Sequence, residues 1–281
     1  MEVRSAVCRR ETATSFLESG SVTALDIDQL EQQGYTVVPG FLARETTGRI
    51  RRHIDSLLPT IDAPRQDPKR WLTTLRHPIP GAIMAELLNS PALLALATEC
   101  LQARSLRLLE QVLIRSDPQP PPYGPLGWHV DYAFFPHQYE AVPRRTYFHM
   151  VHCLNTVTPG GAAFMIVPGS HHLTYAASAR MRTAEDLRQL RLDPVATAGI
   201  DVHKGIEICA DEGDLLIFNP MALHSGSGNA TEQPRYVYFA SFFDASATAL
   251  WNELREAKYR DGFPASLREN LPEDLRPLLE W

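Results

Sequence analysis

The chain contains 281 residues, carries a net charge of −6 and is 44% hydrophobic. These values allow a sizeable buried core and exclude global disorder, and the scattered basic residues form no stripe of the kind that binds nucleic acid. The first 21 residues mix Arg, Glu and Ser without a long apolar run, so the sequence predicts neither a signal peptide nor a membrane span. The four cysteines (Cys8, Cys100, Cys153 and Cys209) lie far apart and form no CxxC pair, which favours free thiols in the cytoplasm over a disulfide framework.

The region from about 22 to 104 is predicted to be mainly helical. Asp26 begins a first helix as a capping residue, and Gly34 ends it. Apolar residues recur at helical spacing over 44–58 and again over 84–101. We therefore expect a helical layer ahead of the rest of the fold.

From residue 105 onward the pattern changes to short extended segments separated by Gly, Pro and Asn turns. The predicted strands lie at about 106–115, 128–133, 146–154, 163–167, 205–209, 214–218 and 235–243. Many short strands at this spacing are typical of a barrel or jelly roll, so the predicted fold class is mainly β with flanking helices.

One domain is expected to span 1–281, because no linker divides the chain convincingly. Its β core would occupy 105–245, and amphipathic helices would follow within 246–281. Residues 172–204 interrupt the strands with a polar, helix-like insertion, which we expect to lie on the rim of the barrel as a lid.

Trp128-His129-Val130-Asp131 places an imidazole and a carboxylate two residues apart in an extended segment. Side chains i and i+2 of a strand point to the same face, so His129 and Asp131 are expected to project together. Two histidines and one carboxylate form the facial site of non-haem iron enzymes, which leaves coordination positions open for chemistry. The motif therefore predicts two of the three ligands, although a lone His-x-Asp pair also occurs without metal in many proteins.

His224 is the best candidate for the third ligand. It follows the apolar run Leu215-Leu216-Ile217-Phe218 and precedes a Gly/Ser turn, which places it near the end of a strand. Arg235 stands eleven residues later, at the start of the next predicted strand. A guanidinium fixed inside a barrel requires an anion, and its planar fork suits a carboxylate.

Four short motifs together resemble the phytanoyl-CoA dioxygenase family over about 106–243. They are Trp128-His129-Val130-Asp131, Val167-Pro168-Gly169-Ser170-His171, Gly213-Asp214, and His224 followed at fixed spacing by Asn229 and Arg235. Members of this family are non-haem iron(II)- and 2-oxoglutarate-dependent oxygenases. The resemblance implies a double-stranded β-helix, which is a distorted, cupin-like jelly roll, and it implies iron(II), 2-oxoglutarate and O2 as cofactor and cosubstrates.

By this resemblance three side chains hold iron: His129, Asp131 and His224. Arg235 pairs with the distal carboxylate of 2-oxoglutarate. Gln111 and Arg115 occupy strand positions where family members often carry residues close to the cosubstrate. Family members frequently have a hydroxyl residue two positions after the arginine, whereas this chain has Val237 there.

The substrate pocket has four candidate side chains near the iron ligands: Tyr132, Phe134, His137 and His149. Such a cluster is usually core packing, but its position beside the metal indicates a substrate wall. No basic cluster demands a coenzyme A phosphate, so we expect a free small metabolite, such as a biosynthetic intermediate, that is hydroxylated, desaturated or cyclised. The expected assembly is a monomer or homodimer without nucleic-acid or membrane partners.

Two alternatives remain open on the residues alone. Two histidines and one carboxylate also suit catalytic zinc. A zinc-dependent hydrolase would need a general base, however, and Arg235 would have no role in its reaction. The other alternative is a barrel that binds a ligand without catalysis. Succinate formation from 2-oxoglutarate, with iron and ascorbate present, would exclude both.

Overall fold

The structure is a computed structural model, and it describes residues 25–57, 72–76, 82–133, 147–248 and 263–280. Some sequence-based predictions fall outside these ranges: Cys8, Phe134, His137 and the helix expected at about 248–260.

A helical layer forms in the N-terminal part of the chain. Its helices are α1 (Ile27–Gln33), α2 (Arg44–Leu57), α3 (Ile83–Leu88) and α4 (Pro91–Leu101). Asp26 caps α1 by accepting the backbone N–H of Gln29 at 2.8 Å, and Gly34 ends the helix with a left-handed backbone at φ 81°. A β-carbon at Gly34 would also lie 2.6 Å from the His171 ring, so glycine is required there on both counts.

The strands form two antiparallel sheets. The larger sheet contains β1 (Tyr35–Val38), β2 (Leu72–Arg76), β3 (Leu106–Ser116), β4 (Tyr147–Cys153), β7 (Leu215–Phe218) and β9 (Arg235–Asp244). The smaller sheet contains β5 (Phe164–Ile166), β6 (Ile206–Ile208) and β8 (His224–Gly226). The strand orders are β1-β7-β4-β9-β3-β2 and β6-β5-β8, so neighbours in space are mostly distant in sequence.

The two sheets face each other across an apolar interior. One buried cluster joins Ile166 and Ile208 of the smaller sheet to Val151, Phe218 and Val237 of the larger sheet. Two facing antiparallel sheets with such crossed strand orders form a double-stranded β-helix. The predicted fold class, mainly β with flanking helices, is confirmed.

The outer face of the larger sheet packs against the helices. Alternate residues such as Met150, Ile217 and Tyr238 belong to a second buried cluster, which also contains Ile50 of α2 and Leu93 of α4. The period of two along each strand therefore separates interior residues from helix-facing residues.

Residues 172–204 are mostly helical, and they are not uniformly polar. They form most of α5 (Ser170–Ser178) and all of α6 (Ala184–Leu192), α7 (Pro194–Ala198) and a 3-10 turn at Val202–Lys204. Leu187 and Leu190 are buried with Ala177 and Ala133, and Ile200 is buried with Val130. The segment therefore packs against Val130 and Ala133, which lie before and after Asp131 in the sequence. Its role as a lid stays a prediction.

The C-terminal residues return to the helical layer. They form α8 (Ala265–Asn270) and a 3-10 helix (Glu273–Leu279), and Leu267, Leu271 and Leu279 are buried beside the N-terminal helices. Among the helices that the structure describes, none has both the length and the apolar content needed to span a bilayer.

Candidate metal centre

The structure brings the three predicted ligands together at one end of the barrel. His129 and His224 form a narrow antiparallel bridge, in which each backbone N–H donates to the other residue's carbonyl at 2.9 and 3.0 Å. The backbone N–H of Asp131 donates to the Pro220 carbonyl at 3.0 Å. One ligand atom from each of His129, Asp131 and His224 lies within 4.8 Å of the others.

Backbone carbonyls fix the tautomer of both histidines. His129 Nδ1 lies 2.9 Å from the Gly127 carbonyl oxygen, and His224 Nδ1 lies 2.8 Å from the Ala222 carbonyl oxygen. Because a carbonyl oxygen only accepts, each Nδ1 carries a hydrogen, and each Nε2 is the ring nitrogen that faces the cluster. These Nε2 atoms lie 3.9 Å from Oδ1 and 3.3 Å from Oδ2 of Asp131, respectively.

The charges of the cluster suit a divalent cation. Burial lowers the pKa of His224 to about 4 against the opposing attraction of Asp131, so its imidazole is neutral at physiological pH. The His224 side chain is 6% exposed, whereas that of His129 is 49% exposed, so the cluster opens to solvent on the His129 side. Two imidazoles and one carboxylate with an open side are the ligand set of non-haem iron(II).

Arg235 begins β9 and faces the interior, as Val237 does two residues later. Its Nη1 donates to the Ala162 carbonyl oxygen, but its buried Nε finds no hydrogen-bond partner among the described residues. Burial lowers the pKa of Arg235 to about 10. The side chain reaches a cleft of about 210 Å³, whose other lining residues include Asn155, Thr158 and Thr231. This guanidinium has the unsatisfied donor that a bound carboxylate would complete.

Gln111 and Arg115 lie on the opposite face of the sheet. Gln111 Nε2 donates to Tyr238 Oη at 2.8 Å, among the helix-facing residues. Arg115 Nε and Nη1 donate to Asp117 and Asp55 at 2.7 and 3.1 Å. Alternation in β3 gives these two residues a common face, but that face points toward the helices. Their assignment to the cosubstrate is therefore corrected, and we do not propose them for that role.

Tyr132 and His149 both lie close to the metal cluster but are buried. Tyr132 is 8% exposed, and the guanidinium of Arg191 in α6 lies 4.8 Å from the centre of its ring. His149 is 3% exposed, and its Nε2 lies 2.9 Å from Asp131 Oδ2. Both assignments to the substrate pocket stay predictions of the sequence.

Sequence reasoning missed two buried polar residues next to the cluster. Glu110 and Ser241 are directly opposite each other on β3 and β9, and Ser241 is opposite His149 on β4. These three residues are at most 3% exposed and form one polar row across the interior face. The sequence shows each of these residues as an isolated polar residue within an apolar strand. Only the strand register shows that they form a cluster.

The chain matches the model of the phytanoyl-CoA dioxygenase (PhyH) family over residues 30–237. No curated protein matches its sequence significantly. The match covers most of the chain, including the proposed ligands and Arg235, so the chain belongs to the phytanoyl-CoA dioxygenase family. It is an iron- and 2-oxoglutarate-dependent oxygenase, with iron(II), 2-oxoglutarate and O2 as cofactor and cosubstrates.

Several solved structures share the fold at low identity. The epimerase SnoN, in complex with Fe3+, alpha ketoglutarate and nogalamycin RO, has 19% identity and a TM-score of 0.58, over 78% of this chain and 82% of its own. EvdO2 from Micromonospora carbonacea var. aurantiaca, complexed with 2-oxoglutarate, has 18% identity and a TM-score of 0.56, over 80% and 93%. HygX from Streptomyces hygroscopicus, with nickel, 2-oxoglutarate and hygromycin B bound, has 20% identity and a TM-score of 0.53, over 79% and 88%.

Proposed function

We propose that this oxygenase oxidises an unactivated C–H bond of a small-molecule metabolite, namely a biosynthetic intermediate, by hydroxylation, desaturation or cyclisation. The observation that carries the proposal is the cluster of two tautomer-fixed imidazoles and one carboxylate within 4.8 Å. The bound nogalamycin RO and hygromycin B of the similar structures support a small-molecule substrate.

Iron(II) would be held by His129, Asp131 and His224, and with 2-oxoglutarate it supplies the activation of O2 that C–H oxidation requires. The backbone hydrogen bonds at both Nδ1 atoms hold each ring with Nε2 toward the cluster. Phe164 and Phe218 enclose the His224 ring, at 5.4 and 4.8 Å between ring centres, and exclude water from that side.

The role of Arg235 is to bind the distal carboxylate of 2-oxoglutarate. A planar guanidinium with an unsatisfied Nε, beside an open cleft, recognises a carboxylate through charge-assisted hydrogen bonds. A zinc hydrolase on the same ligands would leave this buried cation without an anion, so the Arg235 environment favours the oxygenase.

The segment 172–204 is the proposed lid, and its contacts support a position beside the substrate. Arg191 lies over the ring of Tyr132, which directly follows Asp131 in the chain. Closure over the open His129 side would shield the reacting carbon from water.

The test is iron-dependent conversion of 2-oxoglutarate to succinate, measured with ascorbate and with panels of candidate substrates. His129→Ala, Asp131→Ala and His224→Ala should each abolish turnover, because each removes one of three ligands. His53→Ala is the matched control, since His53 lies on α2, outside both the ligand cluster and the proposed lid. Wild-type turnover in one of the three ligand variants would remove that residue from the proposed site.

A further inference from the structure

Ser116 ends β3 directly opposite Arg235, the residue that begins β9. The β-carbons of directly opposed residues in an antiparallel pair lie about 4.5–5.5 Å apart, so the two side chains are neighbours. The Ser116 residue is 5% exposed. Its hydroxyl therefore lies beside the Arg235 side chain and away from bulk water.

Both side chains point into the interior between the two sheets. The residues on either side of Ser116 in the sequence, Arg115 and Asp117, share the helix-facing side, where the Arg115 Nε donates to the Asp117 carboxylate at 2.7 Å. Because side chains alternate along a strand, Ser116 takes the opposite face. Arg235 takes the same interior face, since Val237, two residues later, belongs to the interior cluster.

Each of these two side chains has a buried polar atom that can donate a hydrogen bond. Neither the Ser116 Oγ nor the Arg235 Nε has a hydrogen-bond partner among the residues that the structure describes. Leaving a buried donor unpaired costs stability, so native proteins pair almost all of them. Two such donors on directly opposed residues suit a ligand that offers two acceptor oxygens.

The main chain of Ser116 is also fixed to the cleft that Arg235 lines. The Asn229 side-chain amide donates to the carbonyl oxygens of Ser116 and Gln233, both at 2.9 Å. Gln233 and Thr231 line the cleft together with Arg235. Asn229 therefore joins Ser116 to the turn that forms one wall of the cleft.

The other interior positions next to Arg235 are poorer donors. The next interior pair along these two strands, Ile114 and Val237, is apolar. On the other flanking strand, the partner of Val237 is Cys153, and a thiol is only a weak donor. Among these strand positions, all of which the structure describes, Ser116 is the strongest neutral donor.

We propose that the Ser116 hydroxyl donates to the carboxylate that Arg235 binds, which makes Ser116 a specificity residue for the dicarboxylate 2-oxoglutarate. The inference rests on the proposed role of Arg235. A carboxylate has two acceptor oxygens, so it can accept from the guanidinium and from the hydroxyl at the same time. A 2-oxo acid that lacks the distal carboxylate would gain nothing from Ser116.

Ser116→Ala tests the proposal, because it removes the hydroxyl and little else. We expect the Kd for 2-oxoglutarate, measured by calorimetry with the Mn²⁺-loaded protein, to rise about tenfold or more, since a hydrogen bond to a charged acceptor is lost. The same titration with 2-oxopentanoate uses an equally long carbon chain without the distal carboxylate. Its Kd should be the same in Ser116→Ala as in wild type.

Thr36→Val is the matched control for the loss of a buried hydroxyl. Thr36 lies on β1 and is also buried, but its Oγ1 donates to Gln29 of α1 at 3.0 Å. The Tm of Thr36→Val should fall, and its Kd for 2-oxoglutarate should equal that of wild type. The Tm of Ser116→Ala without 2-oxoglutarate should equal or exceed that of wild type, because its hydroxyl has no partner among the described residues to lose.

The outcomes separate this inference from the proposed function. A wild-type protein that does not bind 2-oxoglutarate would contradict the proposed function. Wild-type affinity for 2-oxoglutarate in Ser116→Ala, alongside weak binding in Arg235→Met, would overturn the role of Ser116 alone. Equal weakening for 2-oxoglutarate and 2-oxopentanoate would overturn it as well, and so would a large fall in the Tm of Ser116→Ala or its failure to fold, because each would show that the hydroxyl is structural.

Discussion

Arg235→Met should have opposite effects on cosubstrate binding and on the stability of the free protein. In the structure the Arg235 residue is partly exposed, its Nη1 donates to one carbonyl, and its buried Nε has no partner among the described residues. Burial lowers its pKa to about 10, a decrease that corresponds to about 3 kcal/mol against the charged form. The free protein therefore bears an electrostatic cost that a bound carboxylate would relieve.

Two magnitudes follow for Arg235→Met. Loss of a buried charge-assisted pair costs roughly 2–5 kcal/mol, so the apparent Kd for 2-oxoglutarate should rise about 30-fold or more, while Mn²⁺ affinity is unchanged. Methionine removes the charge and keeps much of the apolar stem, so the metal-free variant should be as stable as wild type or up to about 3 kcal/mol more stable.

Arg115→Met is the matched control. Arg115 is buried, at 3% exposure, but it donates to Asp117 at 2.7 Å and to Asp55 at 3.1 Å. Its removal should destabilise the fold by about 3–5 kcal/mol without changing the Kd for 2-oxoglutarate. Urea unfolding and calorimetric titration with 2-oxoglutarate and Mn²⁺ measure both quantities. The reasoning fails if Arg235→Met destabilises the free protein as Arg115→Met does, or if it binds 2-oxoglutarate normally.

Four further outcomes are expected. Burial lowers the pKa of His152 to about 3, below the unfolded value of about 6.5, so the unfolded chain takes up a proton first as the pH falls. The free energy of unfolding should therefore fall by about 2 kcal/mol between pH 7 and pH 5, and this contribution should disappear in His152→Phe. An unchanged pH slope of urea unfolding would contradict the burial argument. In Gly205→Ala the new β-carbon would lie 2.6 Å from Trp128 Cη2. The Mn²⁺ affinity and the Tm of this variant should therefore both fall. Wild-type values would show that the Trp128 ring moves aside freely. Mass spectrometry of the product formed in excess chloride should show an oxygenated, desaturated or cyclised compound, because Asp131 keeps the carboxylate that chloride would have to replace. A chlorine isotope pattern in the product would contradict the assignment of Asp131 as a metal ligand. Hydrogen exchange without ligand should be faster in 172–204 than in the barrel strands if this segment opens as a lid, and equal protection would argue for a fixed wall.

The sequence alone was sufficient to predict the three residues of the candidate metal centre. His129 and Asp131 share a face because the period of a strand is two, which is a local property that two residues of sequence can show. The sequence also located the first helix, since its cap at Asp26 and its stop at Gly34 are local interactions.

Tertiary structure decided which face of each strand is the interior. Alternation shows that Gln111 and Arg115 point the same way, but only the packing of β3 against the helices shows that they point away from the metal centre. The strand register likewise placed Glu110, Ser241 and His149 in one row across three strands, which no short stretch of sequence connects. Long-range pairing is the physical reason, because contacts between residues far apart in the chain have no signature within any one local segment.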